Sequence, residues 1–337
     1  MASASTVEIA HAVRIEETGA EFTVTPGESV LEAALRAGVA LAHECQFGGC
    51  GTCRMRVLAG AVRYDEWPMA LADEEAAAGF ALACQARPVS DLVLSTAGDP
   101  CAEPERVQAT VTAVQSLTPD VVHVTLALPQ AAPRHRPGQY LRLFTTDGSS
   151  RSFSMASAPD GRQVDVHIRR IPGGRFTDGE LAALRPGACV PVELPLGSFY
   201  YRERDYRPMI FVATGTGLAP IKSILEALLD DEDAPPVALY WGGRTPADLY
   251  LDDTLRSWAG RLCEFQYVPV LSRADEAWSG CRGYVQDAVL ADWPDLSEHA
   301  IYLCGSPVMI AAAREAFLAA GANPAHLYAD SFTFQHG

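Results

Sequence analysis

Three cysteines fall within nine residues of HECQFGGCGTC, a segment that also holds three glycines. Cys45, Cys50 and Cys53 stand in a C-x4-C-x2-C pattern, and Cys84 in FALACQARP is available as a fourth thiolate. That spacing, with its last sulfur supplied from a distant strand, is the spacing of a [2Fe–2S] site. Such a cluster concentrates negative charge, so backbone N–H groups must turn toward sulfur. Gly48, Gly49 and Gly51 allow the main chain to approach and to adopt positive φ. Zinc is the competing reading, although structural zinc sites usually pair two C-x2–4-C knuckles and only one is present. Ordinary buried thiols are the third.

A second stretch suits phosphate. ATGTGLAP (213–220) lies between the apolar run MIFVA and the helical pattern IKSILEALL. Gly215, Thr216 and Gly217 form a turn, with Pro220 expected at the first helical position, where its missing N–H costs nothing. The free N–H groups and dipole of a helix start attract phosphate. Pro220 takes the place of the last glycine of G-x-G-x-x-G, so this is not the usual dinucleotide fingerprint. A plain strand–helix turn is the alternative.

The elements that must position these residues follow from changes of texture. Residues 6–25 alternate apolar and polar like a hairpin turning at Thr18–Gly19. PGESVLEAALRAGV predicts a helix capped by Ser29, with Val30, Leu31, Ala34, Leu35 and Val39 at helical spacing. Residues 96–106, rich in Pro, Gly and charge, predict a linker. From 107 to about 205, strand patterns broken by Pro–Gly and Asp–Gly turns predict a small antiparallel barrel. Beyond 208, apolar strands alternate with helices, which predicts a parallel sheet. The fold class expected is therefore multidomain, α+β followed by α/β. Its domains are expected at 1–98, 99–206 and 207–337, within the two or three that 337 residues allow.

The formal net charge of −16 opposes nucleic acid or an anionic membrane as partner and permits docking on a basic protein surface. No apolar run reaches the ~18 residues of a membrane span, and the N-terminus lacks a secretory pattern. An odd count of nine cysteines fits a reducing, cytoplasmic setting. Cys101, Cys189, Cys263 and Cys281 show no ligand spacing. No H-E-x-x-H or G-x-S-x-G occurs.

CQFGGCGTC…LACQA, with the hairpin and helix before it, resembles a plant-type ferredoxin domain of β-grasp fold. The remainder resembles the ferredoxin–NADP⁺ reductase superfamily. Across nearly the whole chain the sequence is similar to the NAD(P)H-dependent flavin/iron–sulfur reductase components of multicomponent bacterial oxygenases. The resemblance implies an FAD-binding β-barrel and an NAD(P)H-binding α/β domain. RSFS matches that family's flavin signature, so Arg151 would pair with a flavin phosphate, Phe153 would lie against the isoalloxazine, and Ser154 would act near N5, with Ser152 between them. Tyrosine is commoner at position 153. The family's diphosphate loop falls on Gly173, Gly174 and Thr177, preceded by Ile168 and Arg169. Its G-x-G-x-x-P nucleotide loop falls on Thr214, Gly215, Thr216 and Gly217. In YLCGSP, Cys304 would lie beside the nicotinamide, followed by Gly305, with Phe332 near the C-terminus. A buried core cysteine is the alternative for Cys304. Arg244 and Ser272–Arg273 fall where relatives contact the adenosine ribose; NADH is expected, with NADPH accepted.

The implied activity passes electrons from NAD(P)H through FAD and the cluster to a terminal oxygenase of an aromatic-ring dioxygenase or di-iron hydroxylase, or to an intermediary ferredoxin. A deoxysugar dehydratase acceptor and a redox-sensing binding module are the rival readings.

Overall fold

The hairpin forms in the computed structural model, which describes residues 9–43, 45–96, 102–159, 161–171 and 173–332. Strands β1 (His11–Ile15) and β2 (Glu21–Val24) pair antiparallel with His11 opposite Val24. Val13 and Ile15 point into the core while Arg14 faces out, as a period of two requires. Ser29 caps α1 (Val30–Arg36): its hydroxyl accepts from the Glu32 N–H, and the Glu32 carboxylate accepts from the Ser29 N–H. Such a reciprocal cap stabilises a helix start by about 1 kcal/mol. Val30, Leu31 and Ala34 are buried, but Leu35 is 43% exposed; Ala33 takes the core position instead.

The chain continues through β3 (Arg54–Ala59), β4 (Val62–Arg63), α2 (Asp73–Ala77), β5 (Phe80–Leu82), β6 (Arg87–Pro88) and β7 (Leu92–Ser95). The main sheet has the order β2-β1-β7-β3-β5, and β4 pairs with β6 apart from it. Within it β1 and β7 run parallel, and the other neighbours run antiparallel. The apolar face of α1 packs into the core that lines this sheet. This mixed sheet with its packed helix is the β-grasp fold expected.

The chain divides into two compact units, Met1–Pro100 and Cys101–Gly337. The second unit opens with six strands: β8 (Glu105–Ser116), β9 (Val121–Ala127), β10 (Tyr140–Phe144), β11 (Ser150–Ser154), β12 (Gln163–Arg169) and β13 (Cys189–Leu196). They pair antiparallel in the order β11-β10-β13-β8-β9-β12. An antiparallel bridge between Met155 and Val166 brings the two ends of that order together, so the barrel nearly closes. A π-helical turn, Arg175–Glu180, and the short α3 (Leu181–Ala183) lie between β12 and β13. Alternation along the strands fills the interior with Val124, Leu141, Val166 and Val192.

The expected boundary at 206/207 lies inside this unit, ahead of β14 (Met209–Thr214). There follow α4 (Leu218–Ala227), β15 (Val237–Gly243), α5 (Asp252–Ser257), β16 (Gln266–Leu271), β17 (Cys281–Arg282), α6 (Val285–Asp292), β18 (Ala300–Gly305), α7 (Pro307–Ala319) and β19 (Leu327–Ser331). The six strands are parallel, ordered β17-β16-β15-β14-β18-β19. Both faces are covered, one by α4 and α5, the other by α6 and α7, which explains why these strands read as unbroken apolar runs. Strand order reverses between β14 and β18. In open parallel sheets the crevice at the carboxyl ends of such a pair is where ligands bind.

Pro220 departs from its expected position. A 3₁₀ turn, Gly215–Gly217, precedes α4, so Pro220 is the third helical residue. Its missing N–H is still one of the four that no helix start can satisfy, and no internal bond is lost.

Candidate electron-transfer site

In the first unit the cysteine loop enters β3 directly, and Cys84 follows β5 by two residues. Since β3 and β5 are paired, and the Ala83 N–H donates to the Cys53 carbonyl at 3.0 Å, the sheet itself brings Cys53 and Cys84 together. Cys50, Cys53 and Cys84 are buried and Cys45 half-buried. The loop turns its amides onto sulfur: Gly49 N–H and Cys50 N–H donate to Cys45 Sγ at 3.3 and 3.4 Å, and Thr52 N–H to Cys50 Sγ at 3.5 Å. Gly48 (φ +78°) carries the turn pressed on Pro68, where an added Cβ would come within 3.0 Å of the proline Cβ.

The sulfurs fall in two pairs. Cys50 and the amides turned on its sulfur bring the Cys45 thiol down to about 5, while Cys45 and burial push Cys50 up. Cys84 and burial likewise push the Cys53 thiol up, and Cys84 is lowered by Cys53. Among the described residues no three His, Cys, Asp or Glu side chains gather around one metal position. Four thiolates on one loop and on the strand beside it, with N–H groups turned on sulfur, would suit a cluster of two irons. These residues fit a [2Fe–2S] cluster. Beside them Phe47, Trp67 and Met69 are exposed, and the Ala70 N–H bond to the Gly48 carbonyl (2.9 Å) lays their segment along the loop.

In the second unit, RSFS occupies β11, next to β10. Arg151, Ser152 and Phe153 are half-buried and Ser154 is buried. Arg151 donates to the Ser150 carbonyl at 2.7 Å. The Phe153 ring lies 5.2 Å from that of Phe176, which joins this strand to the π-helical turn. Gly173 has φ +76° and open space where a side chain would be. Gly174 and Thr177 serve the loop itself: Thr177 Oγ1 donates to the Ile171 carbonyl at 2.8 Å and accepts from the Ile171 N–H at 3.1 Å. The hydroxyl expected to reach a diphosphate is thus engaged in holding the loop. Ile168 also departs from expectation. Its side chain is wholly buried in the barrel core, which leaves only its backbone for a ligand.

Arg169 ends β12 beside the nucleotide loop. Its guanidinium donates to Asp120 at 2.9 and 3.1 Å and to Asp248 at 3.5 Å, and a Cβ on Gly215 would come within 3.1 Å of it. From β12, His167 Nδ1 lies 3.1 Å from the Tyr250 hydroxyl; the Tyr250 ring stands edge-on to Trp241, whose indole N–H donates to the Gly215 carbonyl at 3.0 Å. Barrel and parallel sheet are tied together at the loop.

The two glycine motifs interlock at the reversal of strand order. A Cβ on Gly217 would stand 2.3 Å from the Cys304 carbonyl oxygen, and one on Gly305 (φ +143°) 2.2 Å from Thr214 Oγ1. A side chain at Gly217 would have to move backbone, and one at Gly305 would displace the Thr214 hydroxyl and strain a positive φ. The Ser306 N–H donates to Thr214 Oγ1 at 3.2 Å, and Phe332 N–H to the Gly305 carbonyl at 2.9 Å. Thr216 is half-buried at the loop's centre. Cys304 is fully buried, and burial pushes its thiol well up. Nothing in the sequence marks its neighbours on β19: Asp330, opposite Cys304, and Ser331, opposite Gly305, whose buried hydroxyl has no partner among the described residues. That orphaned hydroxyl fits a polar ligand group at this end of the sheet.

Arg244 and Ser272–Arg273 meet at the ends of β15 and β16, where Arg273 N–H donates to the Arg244 carbonyl at 2.8 Å and Ser272 N–H to Gly243 at 3.0 Å. Sequence reasoning missed Asp248, which accepts from Arg244 Nη2 at 2.8 Å and from the Arg244 and Thr245 N–H groups. Burial works against its ionisation, yet these bonds hold its carboxyl at about 2.

A cluster loop, a flavin-type barrel and a nucleotide-binding sheet in one chain define a flavin/iron–sulfur reductase. Family models agree: a 2Fe-2S iron-sulfur cluster binding domain matches residues 13–89, an oxidoreductase FAD-binding domain 108–201, and an oxidoreductase NAD-binding domain 211–315. Reductase component 2 of terephthalate 1,2-dioxygenase from Comamonas sp is 34% identical over 96% of this chain and 97% of its own. The CDP-6-deoxy-L-threo-D-glycero-4-hexulose-3-dehydrase reductase of Yersinia pestis is also 34% identical, over 95% and 98%. The crystal structure of an Amycolatopsis cytochrome P450 reductase superposes with a TM-score of 0.72 at 34% identity, covering 96% and 98%. The chain belongs to the family of NAD(P)H-dependent flavin/[2Fe–2S] reductase components of multicomponent oxygenases. Its cofactors are a [2Fe–2S] cluster, FAD and a nicotinamide nucleotide. No helix among the described residues is long and apolar enough to cross a membrane.

Proposed function

We propose that this chain serves, in the cytoplasm, a terminal oxygenase acting on an aromatic compound, and that it prefers NADH. Full-length likeness to a terephthalate dioxygenase reductase carries this reading. Bound together, the three groups supply the redox chemistry: a two-electron hydride donor, a flavin that takes the pair and releases electrons singly, and a one-electron cluster.

The protein's own part is positioning, with the domains divided at 98/99, which lies outside the described residues, and at 206/207. Cys45 with Cys50 and Cys53 with Cys84 hold the irons. Arg151 pairs with a flavin phosphate, and Phe153 and Ser154 line the ring, while Gly173 lets the diphosphate approach. The loop from Thr214 to Gly217 presents N–H groups to the nucleotide phosphates, and Cys304, Gly305 and Phe332 shape the nicotinamide pocket. Ser152, Arg169, Ser272 and Arg273 complete the contacts, Ile168 through its backbone and Gly174 and Thr177 by fixing their loop.

NADH is favoured because Arg244 is already paired with Asp248, so a 2′-phosphate would have to compete with that carboxylate. The electron exit is the exposed rim of Phe47, Trp67 and Met69. The purified chain, mixed with NADH, a terephthalate-type oxygenase component and its aromatic substrate, should give hydroxylated product in step with NADH consumed. Turnover with a deoxysugar dehydratase and none with the oxygenase would overturn the reading.

A further inference from the structure

The segment that leaves the flavin strand is held by the helix that follows the nucleotide loop. Strand β11 ends at Ser154, and Ala156, Ser157 and Ala158 each meet a side chain of α4. Lys222 Nζ donates to the Ala156 carbonyl at 2.9 Å, and Ser223 Oγ to the Ser157 carbonyl at 2.6 Å. The Ala158 N–H donates to Glu226 Oε2 at 3.2 Å, and the other oxygen of that carboxylate accepts from Lys222, so the three bonds form one set. From the barrel, the Asp165 carbonyl accepts from the Ala156 N–H at 2.7 Å, and the Asp165 N–H donates to Ser157 Oγ at 3.0 Å. His135 also bonds to the Ser157 backbone.

Lys222 is the chain's only lysine, and it is buried beside a wholly buried Ser223. An apolar side chain would join the two surfaces as well or better, because desolvating an ion takes back most of what its pairing returns. What an apolar contact lacks is register. It can slide, whereas directed hydrogen bonds to three successive residues admit one alignment. A compact ammonium also suits one carbonyl and one carboxylate oxygen, where a guanidinium needs acceptors for a planar fork.

The surfaces aligned in this way carry the two ring sites. On one side Ala156 is two residues beyond Ser154. On the other, Lys222 is five residues beyond Gly217, which abuts the Cys304 carbonyl. We propose that Lys222, with Ser223 and Glu226, is a positioning group that sets the gap between flavin and nicotinamide. The inference rests on the reading that Ser154 faces the flavin and Cys304 the nicotinamide. Across that gap a hydride leaves the reduced nicotinamide with both electrons and bonds to flavin N5, oxidising one ring and reducing the other. A misplacement of about 1 Å can slow such a step about a hundredfold. Loss of the alignment therefore falls on the rate of this step and spares nucleotide affinity, which the phosphate and ribose contacts supply.

The test is anaerobic stopped-flow reduction of the full, flavin-loaded chain at rising NADH, paired with amide hydrogen exchange over residues 155–158. Lys222→Met should lower the limiting reduction rate about tenfold or more and leave the NADH dissociation constant within about twofold. The long-wavelength charge-transfer absorbance of stacked nicotinamide and flavin should weaken. FAD content and melting temperature should match the parent's, while exchange over 155–158 quickens. A limiting rate within about threefold of the parent's overturns the proposal, and so does a loss confined to NADH affinity. If Lys222→Met fails to fold or to hold FAD, Ser223→Ala decides the matter, since it removes one bond and leaves no buried charge alone. It should slow the limiting rate about threefold at unchanged affinity, and an unchanged rate overturns the proposal. Failure of the ring-site reading is separate: Ser154→Ala and Cys304→Ala would then leave the limiting rate unchanged, whatever Lys222→Met does.

Discussion

In the nicotinamide pocket proposed for it, Cys304 would bring no charge. Its thiol is fully buried and pushed up by that burial, so it stays protonated near neutrality and acts through shape and a weak dipole. Cys304→Ala should slow flavin reduction about tenfold while coenzyme affinity changes about twofold or less, as expected of a residue that orients the ring rather than its phosphates. Stopped-flow absorbance at the flavin band measures both; an unchanged rate makes Cys304 a packing residue. Its place could be read from YLCGSP, whereas Asp330 and Ser331 could not. They meet it only through the register of β18 on β19, and ADSF has no signature of its own. Asp248 escaped notice for the same reason, hidden in GGRTPADLY behind the arginine it neutralises. Asp248→Asn should free Arg244 and raise the NADPH to NADH ratio of kcat/KM by roughly tenfold, since bidentate guanidinium–phosphate contacts are strong. Arg273→Ala should lower that ratio. A ratio unmoved by both substitutions would place ribose selection elsewhere.

At the scale of elements, the local signals were faithful where the chemistry is local. The Ser29 cap, the alternation of β1 and β2 and the apolar runs of β14, β15 and β18 are properties of adjacent residues. Leu35 and Pro220 departed because the exact edge of a helical stripe, and the 3₁₀ turn before α4, depend on what packs against them. The seam between β12 and the parallel sheet was invisible, because His167 and Tyr250 are 83 residues apart. Burial, with Lys222 and His123 adding repulsion that Asp165 partly offsets, pushes His167 down to about 3. Burial brings His135 down to about 4. In the unfolded chain both regain a pKa near 6.5, so below that pH the unfolded state binds more protons and stability falls with pH. The loss should approach about 1.4 kcal/mol per pH unit for each histidine between roughly pH 6 and 4. Urea denaturation followed by tryptophan fluorescence at stepped pH checks this, and His167→Asn should make the slope shallower, His135 and His299 keeping the rest. A stability that stays flat from pH 7 to 5 in the parent would show that these imidazoles are not held neutral.

For the whole molecule, the −16 charge and the three cofactor domains fix the order of events better than any single residue does. The acidic surface expected to steer a basic partner has an apolar rim at the cluster loop, where Phe47 is 58% and Met69 73% exposed. Steering and final docking are thus separate tasks, one long-ranged and salt-sensitive, the other short-ranged. Electrons from the nicotinamide are expected to reach a cluster held by Cys45, Cys50, Cys53 and Cys84. Anaerobic addition of NADH to the parent chain, followed by EPR of frozen samples, tests it most directly, with Cys84→Ser as its control. The parent should show a reduced [2Fe–2S] signal, and Cys84→Ser a bleached flavin with that signal lost. A full cluster signal in Cys84→Ser, or stoichiometric zinc and no signal in the parent, would contradict it.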